Sequence, residues 1–148
     1  MATRRSAVSS LVLCVAACGG IASQTTTSEP SVVVGEVTLV RSGGFAGITT
    51  TVTVEADGTV LITNNSDALP EVIIPQSELD SIHAIVSNPE FADLRDTFVP
   101  PGGVCCDLYT YTVTAEVGDR FIESTTADTV ETPRNLQQVI NILTGLIP

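Results

Sequence analysis

One histidine, four cysteines and seventeen carboxylates are the residues of this 148-residue chain that could ligate a metal, attack a carbonyl or move a proton. His83 stands four residues after Leu79 and three before Val86, so it borders an apolar helical face and reads as a core-edge side chain. Alone it cannot build a His-based zinc site, because structural sites take four protein ligands and catalytic ones three. The acid pairs Glu78/Asp80 and Asp93/Asp96 fit a helix start and a solvent face better than a general acid and base. No nucleophile elbow, phosphate-binding loop or metal-binding carboxylate spacing is present. The sequence therefore assigns no catalytic residue, no metal and no cofactor, and it reads as a non-enzyme.

The cysteines divide by position. Arg4 and Arg5 precede a short apolar run, Ala7 to Ala17, and small residues lead to Val15-Ala16-Ala17-Cys18. A run this short is an export signal rather than a membrane span. Its ending resembles a bacterial lipobox, whose cysteine is acylated and becomes the new first residue; the other reading is a plain signal with an incidental cysteine. On the first reading residues 1–17 are a lipoprotein signal peptide and Cys18 is the lipidation site. Residues 18–30 are then a lipidated, flexible, Ser/Thr-rich tether. Two or three acyl chains would hold the protein lastingly on a membrane, where one chain binds only reversibly. Gly19 after the cysteine directs it to the outer membrane if the cell is Gram-negative. Cys105 and Cys106 remain, adjacent, in an oxidising compartment. They could form a vicinal disulfide, stay as thiols or pair between molecules. Their spacing is not that of zinc ribbons or thioredoxin-like motifs, and a rigid turn is the reading adopted.

A different stretch has the features of a binding loop: Arg41-Ser42-Gly43-Gly44-Phe45-Ala46-Gly47-Ile48, between two runs that read as strands. Three glycines in five residues loosen the backbone and let another chain approach closely. In one reading this is a hairpin turn whose Phe45 folds back onto the sheet. In the other, Phe45 enters a partner's pocket.

The Gly43-Gly44-Phe45-Ala46-Gly47 motif resembles the signature of the emfourin family, small protein inhibitors of thermolysin-like zinc metallopeptidases of the protealysin type. The similarity runs from about Glu36 to the C-terminus. It takes in an Asp-Gly turn and the helix from Gln76 to Asn88, followed by Pro89-Glu90-Phe91-Ala92-Asp93-Leu94. Beyond these come Asp107-x-Tyr109-x-Tyr111 and a closing amphipathic helix. The resemblance implies an α+β domain, a thermolysin-like metallopeptidase as partner and the 41–48 stretch as the protease-binding loop. Between Ser42 and Val54 there is no Cys, His, Asp or Glu, so inhibition would be steric occupation of the cleft. The cysteine pair is not part of the family pattern, and the family's inhibitors are usually unanchored. A non-catalytic binding or structural lipoprotein of the cell envelope is the alternative.

Charge narrows the partners further. Beyond Cys18 stand four arginines, seventeen carboxylates and no lysine, a formal charge of 4 − 17 = −13. Nucleic acid needs clustered Lys and Arg, so it is excluded as a partner. Binding to an anionic lipid surface through charge is excluded likewise. Apart from the membrane reached through its lipid and the peptidase, the protein is expected to be a monomer.

The loop must be positioned by the elements around it, in one domain spanning 31–148. Ser31 to Val40 and Ile48 to Glu55 alternate with period two and read as strands. Asp57-Gly58 turns the chain into a third strand, Thr59 to Thr63, and Asn64 to Pro75 reads as loop. Ser77 is expected to cap a helix carrying Leu79, Ile82 and Val86 on one stripe. Asn88-Pro89 opens a short turn. Leu108 to Val117 and Arg120 to Thr126 form a hairpin around Gly118-Asp119. The last helix, opened by Thr132-Pro133, buries Leu136, Val139, Ile140 and Leu143. The expected fold is α+β: an antiparallel sheet of about five strands with two or three helices packed on one face.

Overall fold

Hairpins dominate the computed structural model, which describes residues 32–104 and 107–148. The signal, the tether with Cys18, and the Cys105-Cys106 pair lie outside the described residues. The first strand, β1 (Val34–Gly43), pairs on one side with β2 (Ile48–Val54) and on the other with β6 (Tyr109–Val117). Beyond β2 comes β3 (Thr59–Asn64), which carries two short strands on its outer edge, β4 (Asp67–Ala68) and β5 (Val72–Ile73). Beyond β6 comes β7 (Arg120–Ala127). The sheet is antiparallel with the order β4-β3-β2-β1-β6-β7, and β5 also pairs with β3. The α+β class is as expected; the strand count is seven rather than about five.

The two additional strands come from 64–75, expected to be loop. Asn65 and Ser66 both take positive φ, 49° and 77°, and turn β3 into β4 as a two-residue hairpin. Asn is one of the few non-glycine residues that enters this region readily, and a turn of this hand matches the twist of the strands it joins. The first strand also ends later than its alternation suggested. Arg41, Ser42 and Gly43 are paired on both sides, so β1 runs to Gly43 and the connecting turn contracts to Gly44–Gly47.

One face of the sheet is apolar and covered. Val37, Leu39, Val52, Val54, Val60, Ile62, Val113, Ala115 and Ile122 are buried against α1 (Gln76–Val86), α2 (Pro89–Ala92) and α3 (Arg134–Gly145). Leu136, Val139, Ile140 and Leu143 form the inward stripe of α3. Each such side chain contributes roughly 1.5–3 kcal/mol by leaving water. The opposite face carries threonines in cross-strand register. Thr38 and Thr53 share a hydroxyl hydrogen bond of 3.0 Å, as do Thr112 and Thr125.

Local signals set the helix ends. Asn88 caps α2 by accepting a hydrogen bond from Glu90 N, with Pro89 at the first helical position. Ser77 does not cap α1. Pro75 occupies the cap position without a side-chain hydrogen bond, and Ser77 is already helical, its carbonyl accepting from Ser81 Oγ at 2.7 Å. The outer edge of β7 is closed by Asp96–Phe98. Thr125 N donates to Asp96 O and Phe98 N to Thr125 O, leaving less free edge for another chain to pair with.

Candidate binding loop and the cluster beneath it

The pair Gly43–Ile48 closes the β1–β2 hairpin, and Gly47 N donates to Gly44 O at 3.0 Å across the turn. Phe45 and Ala46 occupy its two central positions. Gly43 (φ 119°) and Gly44 (φ 70°) are required by close approach as well as by conformation. A Cβ on Gly43 would lie 2.4 Å from Leu108 O, and one on Gly44 would lie 2.7 Å from the Tyr109 hydroxyl. Gly44 N also donates to Leu108 O at 3.2 Å. The turn is thus pressed onto the start of β6, and Phe45 is left at its tip with 93 % of its surface exposed. Phe45 does not fold back onto the sheet.

The eight residues singled out in the sequence are divided by the fold. Arg41, Ser42, Gly43 and Ile48 belong to the strands and are half-buried; Phe45, Ala46 and Gly47 are exposed, and Gly44 bridges the two groups. One further loop shares this end of the sheet. Asn65 N donates to Thr49 O and Asn65 Oδ1 accepts from Thr49 N, joining the β3–β4 turn to the start of β2. The stretch 100–104 turns on a Gly103 N to Pro100 O hydrogen bond.

Behind the turn lies a cluster that sequence reasoning did not identify. The Arg41 guanidinium sits 5.0 Å from the centre of the Tyr109 ring, a cation–π arrangement. Tyr109 and Tyr111 are tilted neighbours at 6.4 Å. Asp128 ties the cluster to the end of β7: it accepts from Tyr109 N (2.9 Å) and from the Tyr111 hydroxyl (3.0 Å), and its own N–H donates to Tyr109 O. Burial, then the hydrogen bond and negative charge of Asp128, push the Tyr111 phenol up to about 12. Tyr109 and Tyr111 lie on one face of β6, as residues two apart on a strand do. Their meeting with Gly44, Arg41 and Asp128 depends on cross-strand register, which the sequence does not display.

The remaining residues weighed for chemistry do not converge. His83 is half-buried on α1, and among the described residues no group of three or more His, Cys, Asp and Glu could hold a metal ion. Asp80, Asp93 and Asp96 are exposed. No helix among the described residues is long and apolar enough to cross a membrane. The arrangement suits recognition: an exposed apolar tip on a braced turn, with the β3–β4 turn at the same end of the sheet. No family model matches this chain, and no match to it was found among curated proteins.

Proposed function

We propose that the chain is a lipid-anchored inhibitor of a thermolysin-like zinc metallopeptidase, and that the Gly43–Gly47 loop blocks the enzyme's cleft sterically. The observation that carries this reading is Phe45, 93 % exposed on a turn whose glycines pack against Leu108 and Tyr109. A braced turn loses little freedom on binding, so more of its contact energy appears as affinity. Phe45 fills an apolar specificity pocket and the glycines let the main chain lie close to the enzyme. One fully buried Phe contributes roughly 1.5–3 kcal/mol, too little for tight binding alone. The Asn65–Ser66 turn, hydrogen-bonded to Thr49 at the same end of the sheet, would add further contacts.

The position of the chain's entry supports the anchored form. Gly118 N donates to Val33 O, so the domain begins at the end of the sheet opposite Phe45. The ten residues of β1 separate the two ends by about 30 Å at about 3.3 Å per residue. A lipid at Cys18 would therefore attach the domain, through a flexible tether, by the end opposite the loop. The test is an inhibition assay against a protealysin-like enzyme with a serine protease as control. Inhibition of the first alone is expected. Failure to inhibit any thermolysin-like enzyme at high micromolar concentration would leave the envelope-binding lipoprotein as the better reading.

A further inference from the structure

The helix-facing side of the sheet changes character in the last layer that crosses all five long strands. One layer in from the loop end, Ile62, Val52, Leu39, Val113 and Ser124 are cross-strand neighbours, and four of the five are apolar. In the end layer the neighbours are Asn64, Thr50, Arg41, Tyr111 and Thr126, polar across all five strands. A cleft of about 470 Å³ opens between Tyr111 and Thr126 of this layer, the 128–130 loop and one edge of α3. That volume falls in the range of small-molecule sites.

The groups lining the cleft are set out for a ligand. Gln137, Asn141 and Thr144 project from successive turns of α3. Gln137 Nε2 donates to Asn141 Oδ1 at 2.9 Å; both side chains are exposed, and Gln137 Oε1 and the Asn141 amide hydrogens have no partner among the described residues. Asp128 Oδ1 accepts from Tyr111 and Oδ2 from Tyr109 N, each oxygen keeping acceptor capacity. Thr144 lines the cleft, but its Oγ1 is turned out of reach of water and has no hydrogen-bond partner among the described residues, so a ligand meets it only when the side chain rotates. Such a group is costly to leave unpaired. Thr129 holds a φ of 67°, a region that β-branched residues avoid. Val130, half-buried, provides apolar surface beside these polar groups, with the buried Ala127 and Ile140 behind it.

We infer that this cleft is a binding site for a neutral polyhydroxylated ligand, one or two sugar rings in size. The class follows from the lining. It includes no Arg, Lys or His, and an anion in it would meet the Asp128 carboxylate directly, with Arg41 behind the wall rather than in it. For a cation, Asp128 is an already doubly hydrogen-bonded carboxylate, with Arg41 next to Tyr111 in the same layer. A sugar offers adjacent hydroxyls that both donate and accept, matching a carboxylate, two carboxamides and a hydroxyl. Its apolar ring face suits Val130. The site is separate from the Phe45 tip and does not depend on peptidase binding.

The test is an amide-shift titration of the isotope-labelled full chain, held in a detergent without sugar headgroups, with cellobiose and with chitobiose. With at least one disaccharide, saturable shifts in the millimolar range are expected at Tyr111, Asp128–Val130 and Gln137–Thr144. The near-isosteric Thr144→Val and the helix-surface Asn141→Ala should each keep the wild-type spectrum elsewhere and weaken binding about fivefold or more, the loss of roughly one hydrogen bond. Phe45→Ala should bind sugar like wild type, so the two sites fail or succeed independently. The site is overturned if neither disaccharide gives saturable shifts, if the shifts lie elsewhere, or if both α3 variants bind as wild type does.

Discussion

Gly44 lies against the phenol ring of Tyr109: a Cβ on Gly44 would stand 2.7 Å from the hydroxyl oxygen and 2.8 Å from Cζ. Gly47, in the same turn, has a φ of 60° but nothing within 4 Å of its Cβ position. The two glycines therefore separate conformation from contact. Gly47→Ala should cost about 1 kcal/mol of stability, the ordinary penalty for the left-handed region. Gly44→Ala should cost more, about 2–3 kcal/mol, because the ring must also move. Chemical denaturation of both variants checks this, and equal costs would mean that Tyr109 does not brace the turn.

Tyr111 makes stability sensitive to alkali. Its phenol titrates near 10 when unfolded and is pushed up to about 12 in the fold, so the native state favours the protonated form. The contribution is whole below pH 10 and is lost as pH rises from 10 towards 12. Tyr111→Phe should lower stability at neutral pH by about 1 kcal/mol, through the lost bond to Asp128. It should also flatten the decline between pH 10 and 12. Denaturation midpoints across that window, for both proteins, decide it.

Two phenylalanines should behave oppositely on truncation. Phe91, 1 % exposed on the inner side of α2, should cost about 3–5 kcal/mol as Phe91→Ala, the usual penalty for emptying a core site. Phe121, 67 % exposed on β7, should change stability by no more than about 0.5 kcal/mol. Thermal melts read both, and a large loss at Phe121 would mean that its face is covered in solution.

The membrane anchor rests on Val15-Ala16-Ala17-Cys18. Exported protein should partition into detergent as a lipoprotein, and Cys18→Ser should release it from membranes or block its processing. Equal solubility and an identical mature N-terminus in wild type and variant would remove the anchor from the account.

Much of the architecture was legible because it is written in short-range pattern. Alternation marked β2 and β6, helical spacing marked the Leu136–Leu143 stripe, and Asn88-Pro89 announced α2. Two-residue strands carry no period, so β4 and β5 were invisible, although Asn65-Ser66 was a usable turn signal. The Ser77 cap failed because Pro75 lets the helix begin sooner. At the loop, the glycines and Phe45 could be read directly. The cluster beneath could not, since Arg41, Tyr109 and Asp128 meet only once three strands are in register, and a one-residue slip would send each side chain to the other face. The polar end layer was hidden for the same reason.

The inhibitor account stands most directly on Phe45. Inhibition constants of wild type and Phe45→Ala, measured against one protealysin-like peptidase, should differ by about 2 kcal/mol or more, roughly thirtyfold or greater, if the exposed ring is the anchor. Melting temperatures of the two should agree within a few degrees, because the side chain supports nothing in the fold. Inhibition left unchanged by the substitution, in a folded protein, would contradict the claim that this loop fills the cleft.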